Sequence, residues 1–91
     1  MKIEKISYNI SNENIIYDCG KMNFLIKKKN SISLEHTHSK IEEIFLVEGE
    51  IKLSLGTEDK ILKVPVKIEI PINVSHKLVA LTDIRLLYSY K

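Results

Sequence analysis

Apolar and polar residues alternate with a period of two along most of this chain, which is the signature of half-buried strands. Ile51-Lys52-Leu53-Ser54-Leu55 alternates, meets the turn cluster Gly56-Thr57-Glu58-Asp59, and resumes at Ile61-Leu62-Lys63-Val64, so a hairpin is predicted. Val66 to Ile70 alternates again and stops at Pro71. From Ile84 to Tyr90, the residues Ile84, Leu86, Tyr88 and Tyr90 share one phase. Asn14 to Tyr17 and Met22 to Lys27 read as strands on either side of an Asp18-Cys19-Gly20 turn, and Lys27-Lys28-Lys29-Asn30 reads as a solvated basic corner. Ile41, Ile44 and Val47 are spaced by three, which hints at a helix. The β-branched and aromatic run Ile44-Phe45-Leu46-Val47 outweighs the hint and predicts a buried strand. Many short strands with frequent turns predict an all-β sandwich or barrel.

Composition narrows this picture. A chain of 91 residues is expected to be one domain, residues 1–91, with a modest core. Hydrophobic residues make up 44% and charged residues 29%, a globular balance. With 14 basic and 12 acidic residues, the net charge of +2 gives no argument for nucleic acid. Arg85 is the one arginine, which disfavours a phosphate site built on bidentate forks. A single cysteine, Cys19, excludes an internal disulfide and is expected to be a small buried apolar group. No secretion signal is visible, and no apolar run approaches the ~20 residues of a membrane helix, so a cytoplasmic protein with no membrane partner is expected.

The candidate chemistry lies in the histidines. In a strand, residues two apart share a face, so His36 and His38 project together while Thr37 points away. Glu42 follows a plausible Ser39-Lys40 turn and opens the next strand. His76 follows Pro71-Ile72-Asn73-Val74-Ser75 at the head of Lys77-Leu78-Val79. Three imidazoles and a carboxylate suit iron, manganese, nickel, cobalt, copper or zinc as a divalent transition metal ion, with positions left open for water or substrate. Calcium is disfavoured because its ligands are oxygens. Surface histidines on a strand are the plain alternative. Glu43 rivals Glu42 for this role, and becomes an outward, solvated charge if Glu42 takes the inward phase. Phe24 and Phe45 read as packing residues, and Tyr88 and Tyr90 as core or dimer-contact aromatics.

These residues resemble the cupins. The first cupin motif is Gly, five residues, His-x-His, three or four residues, Glu, six residues, Gly. Here Asn30 precedes His36-Thr37-His38, and Glu42 and Gly49 follow at the motif's spacing, which selects Glu42 over Glu43. In the second motif, Gly, five residues, Pro-x-Gly, two residues, His, the chain places Pro65, Pro71-Ile72-Asn73 and His76. The likeness spans Asn30 to His76. Asn30, Pro65 and Asn73 replace motif glycines. Asparagine tolerates φ > 0 and can make the same turns, whereas the proline ring cannot, so the turn before Val66 must differ. The asparagine that often closes the second motif is Ala80 here.

The resemblance implies an antiparallel double-sheet jelly-roll barrel, with Leu34, Ile44, Leu46, Leu53 and Leu78 lining or underlying the interior. It implies His36, His38, Glu42 and His76 as metal ligands, a small polar ligand or substrate such as a sugar or oxo-acid, and a homodimer. Isomerase, dioxygenase, decarboxylase and lyase chemistry are its candidate activities. A non-catalytic metal- or small-ligand-binding module is the alternative, given how few loops so short a chain can spare. A closed structural zinc site fits less well, because such sites are usually built from Cys and His alone.

Overall fold

The described residues form nine strands: β1 Tyr8–Ser11, β2 Asn14–Asp18, β3 Asn23–Lys27, β4 Glu42–Glu48, β5 Glu50–Leu55, β6 Glu58–Lys63, β7 Val66–Ile70, β8 His76–Ala80 and β9 Ile84–Tyr90. The computed structural model describes residues 1–12, 14–33 and 35–91, so the interior place expected for Leu34 lies outside the described residues. All pairings are antiparallel. One sheet runs β1-β2-β3-β9-β4-β7 and the facing sheet runs β6-β5-β8. Residues 30–33 and His36 lie along the free edge of β8 through an irregular ladder: Ser33 N–H to Leu78 O at 2.9 Å, His36 N–H to His76 O at 3.0 Å, and Ala80 N–H to Ser31 O at 3.0 Å. The expected jelly roll is the architecture found.

The inward phases of the two sheets meet in one core. Ile44, Leu46, Ile51, Leu53, Ile70, Leu78, Ala80, Ile84 and Leu86 are all buried. Ile44, Leu46, Leu53 and Leu78 therefore take the inward positions that alternation assigned to them. At the corner between β4 and β5, Gly49 adopts φ +94°, and a Cβ there would sit 2.6 Å from an Ile84 methyl and 2.7 Å from the Thr82 hydroxyl. Only glycine satisfies both the conformation and the space. Asn30 (φ 71°) and Asn73 (φ 58°) make the left-handed turns expected of them, and the Val64–Pro65 bond is cis, so that turn does take another form.

Four expectations need correction. β1 was not anticipated, because Tyr8-Asn9-Ile10-Ser11 forms a fully exposed edge strand with no buried face to reveal it. Cys19 is exposed in its turn rather than buried. Lys27 is not part of a solvated corner: it is the last residue of β3, in phase with Leu25, and only 7% exposed. Glu43 does face away from the interior, but it is not solvated, since Lys67 (3.4 Å) and Lys91 fold over its carboxylate.

Candidate metal centre

His36 and His76 come from neighbouring chain segments joined by a reciprocal backbone bridge, with N···O distances of 3.0 and 2.9 Å. Their rings stand 4.2 Å apart between centroids, and His38 lies 4.5 Å from His36 and 5.1 Å from His76. His38 belongs to no strand, so the pairing of its ring with His36 survives without a regular ladder. The segment is held instead by Asn73, whose N–H donates to His38 O at 2.8 Å. Glu42 opens β4 from the opposite sheet, where register sets it against Ile70 on β7 and Tyr90 on β9.

One potential ligand atom from each of His36, His38, Glu42 and His76 lies within 4.8 Å of the others, close enough to share one ion. Glu42 Oε1 is 3.2 Å from His76 Nε2 and 3.6 Å from His38 Nε2. Glu42 and His76 are buried, and His38 is half-buried. His76 Nδ1 lies 3.0 Å from Val74 O. A ring nitrogen facing a carbonyl must carry a proton, so in the neutral imidazole Nε2 carries the lone pair. That Nε2 is buried and has no hydrogen-bond partner in the structure. A buried acceptor left this way is costly, and a cation is the partner its lone pair fits.

The surroundings of His38 favour its neutral form, the one that can bind a metal. Burial pushes the His38 imidazole below its ordinary pKa, the Glu42 carboxylate pulls it back, and His36 and His76 push it down further. Tyr88 and Tyr90 share the inward phase of β9. Burial raises the pKa of both phenols and the Glu42 charge adds to it, taking Tyr90 to about 12. Both remain neutral donors at ordinary pH. Tyr90 Oη is 3.5 Å from His38 Nε2. Reading these tyrosines as core or dimer-contact groups missed their place beside the site. The signal was available in their shared phase, combined with a strand order that sets β9 next to β4.

A cavity of about 420 Å³ opens from these groups into the space between the sheets. His36, Glu42, His76, Tyr88 and Tyr90 contribute to its lining, with apolar walls from Ile44, Leu53, Ile70 and Leu78. Such a chamber suits a small ligand.

Comparison with known proteins decides the fold. Solved structures superpose over nearly the whole chain, among them an RmlC-like cupin from Shewanella frigidimarina (TM-score 0.80, 19% identity, covering 94% of this chain and 81% of that one). The chain has a cupin fold. An RmlC-like cupin with a double-stranded β-helix fold from Methanocaldococcus jannaschii matches with TM-score 0.73 and 14% identity, covering 99% and 93%. Salicylate 1,2-dioxygenase from Pseudoaminobacter salicylatoxidans matches with TM-score 0.70 and 15% identity over 80% of this chain, though only 20% of that enzyme. No protein-family model and no curated protein matches the sequence. At these identities the likeness speaks for the cupin fold, and function must be argued from the site. Among the described residues, no helix is long and apolar enough to cross a membrane.

Proposed function

We propose that this protein is a metal-dependent enzyme acting on a small polar molecule, with His36, His38, Glu42 and His76 as the ligands of a divalent transition metal ion. The observation that carries this reading is the buried Nε2 of His76, without a hydrogen-bond partner and 3.2 Å from the Glu42 carboxylate. When bound, such an ion supplies Lewis acidity toward a carbonyl, or activation of water or dioxygen. The chain's own groups do the rest. Val74 O holds the His76 tautomer. The Tyr90 phenol keeps its proton and can donate it in a hydrogen bond to a ligand oxygen. Ile44, Ile70 and Leu78 give the chamber apolar walls. Isomerase, dioxygenase, decarboxylase and lyase reactions all lie within reach of this arrangement, and the likeness to a dioxygenase is one of fold.

A non-catalytic binding module is favoured by one observation. Among the described residues lining the chamber, no imidazole or carboxylate stands beyond the ligand set to form a second acid/base pair. Product formation from a small polar substrate, lost with the ion in Glu42→Ala, separates the enzyme from the binding module, and cobalt(II) substitution separates both from a closed structural site. A site with open positions gives a visible spectrum that azide perturbs. A closed site gives one that azide leaves unchanged, and loss of the fold on chelation would mark it as structural.

A homodimer and a cytoplasmic setting belong to the same proposal. The outer face of the larger sheet carries the stacked Tyr8, Tyr17 and Phe24, with Ile10 and Val47 exposed, and this supports pairing with a second copy. The exposed thiol of Cys19 suits a reducing compartment.

A further inference from the structure

Among the described residues lining the chamber, Lys27 is the one charged group that the metal reading leaves unused. Every other lysine of the chain is exposed or half-buried, whereas Lys27 is 7% exposed and lines the same cavity as His36, Glu42 and His76. It has no ion-pair partner among the described residues, and burial alone lowers its pKa. Buried ammonium groups are normally paired, because desolvation penalises the isolated charge. A sequence that only needed to fill this space would place an apolar residue here, as it does at Leu25 on the same face of β3.

Register fixes where Lys27 stands. It pairs with Ile84 on β9, and Glu42 pairs with Tyr90 six residues further along that strand. The Lys27 backbone therefore stands at the end of the chamber away from Glu42. Neutral hydrogen-bonding groups gather at its end: Ile15 pairs with Ile26 and Ser11 with Asn14, which brings Ser11 and Asn14 beside the tip of β3, and both line the cavity with Ser33. Glu42 is the only carboxylate lining the chamber among the described residues. Among the described residues, a divalent ion at one end and Lys27 at the other would outweigh this single carboxylate.

We propose that Lys27 anchors the anionic end of a small, elongated organic ligand, a carboxylate or phosphate, whose other end reaches toward the metal centre. This rests on the metal reading for the far end of the ligand but not for the anchor. An ammonium binds either oxoanion as a point charge. Serine hydroxyls and asparagine amides beside it can complete the oxygen shell. The cost of burying Lys27 is then met by the ligand rather than by the protein.

Isothermal titration of the nickel-loaded protein tests this with acetate, adipate, inorganic phosphate and the neutral adipamide as probes. Anions are expected to bind and adipamide not, with adipate tighter than acetate because it spans the chamber. Lys27→Met should weaken anion binding by about tenfold or more, and Lys27→Arg should restore most of it. Preference for phosphate over both carboxylates supports the anchor and names its headgroup. Failure of every anion to bind below about 10 mM, or binding indifferent to Lys27→Met, overturns it. Nickel content read on the same samples separates two failures. Lys27-dependent binding by protein that holds no nickel overturns the metal reading alone. Full nickel occupancy with Lys27-independent binding overturns the anchor alone.

Discussion

His36 and His76 exchange backbone hydrogen bonds in both directions, and their rings rest 4.2 Å apart as a result. Two of the four candidate ligands are thus spaced by the sheet itself. Ion binding at such a site spends little on ordering these two side chains. The third imidazole is tied less firmly, through Asn73 and the half-buried position of His38. His38→Ala is therefore expected to weaken metal binding while the protein stays folded, and near-ultraviolet circular dichroism run beside a metal titration checks both parts.

Gly49 makes a sharper stability prediction. Its φ of +94° and the crowding of Ile84 and Thr82 against any Cβ make Gly49→Ala costly by about 2–4 kcal/mol, from backbone strain and overpacking together. Gly56 also has positive φ (+59°) but open space around it, so Gly56→Ala should cost only about 1 kcal/mol. Urea unfolding midpoints of the two variants, compared with the parent, measure the difference.

Lys27 predicts a pH dependence of known sign. Its pKa is lowered by burial in the folded state and returns to the ordinary 10.5 on unfolding. Between those values the unfolded chain holds more protons than the folded one, so stability rises with pH across the window. Toward neutral pH the folded protein carries the full cost of the buried charge. Lys27→Met should therefore be more stable than the parent near pH 7, with the gap closing as pH climbs toward 10. Unfolding midpoints measured along that range provide the check.

Tyr90 should ionise late. With its pKa at about 12, the folded protein is expected to show a tyrosinate step at 295 nm well above the ordinary phenol range, and Tyr90→Phe should remove it. A Tyr90 that titrates with the more exposed Tyr8 would mean that its place beside Glu42 is wrong.

Much of this was legible in the residues. Period-two alternation at Ile51–Leu55, Val66–Ile70 and Ile84–Tyr90 reports directly on one buried face, so those strands and the inward Ile44, Leu53 and Leu78 could be read. Motif spacing brought out His36, His38, Glu42 and His76, and the structure gathers one potential ligand atom from each within 4.8 Å of the others. What escaped was set by neighbours distant in sequence. β1 has no buried face to give a pattern. Glu43 is covered by Lys67 and Lys91 through β7 pairing and the C-terminus. Lys27 looks like part of a basic run until strand phase is followed from Leu25, and two charged neighbours that truly are solvated masked it. Tyr88 and Tyr90 were placed inward by phase, but their approach to Glu42 depends on β9 lying beside β4, which no local pattern encodes.

Elemental analysis of the purified protein beside its His76→Ala variant tests the central claim most directly. One transition metal ion per chain in the parent, and a trace in a variant that keeps its fold, is the expected result. Equal trace amounts in both, after growth with iron, manganese, nickel, cobalt, copper and zinc supplied, would contradict the metal centre and leave the cavity without its proposed chemistry.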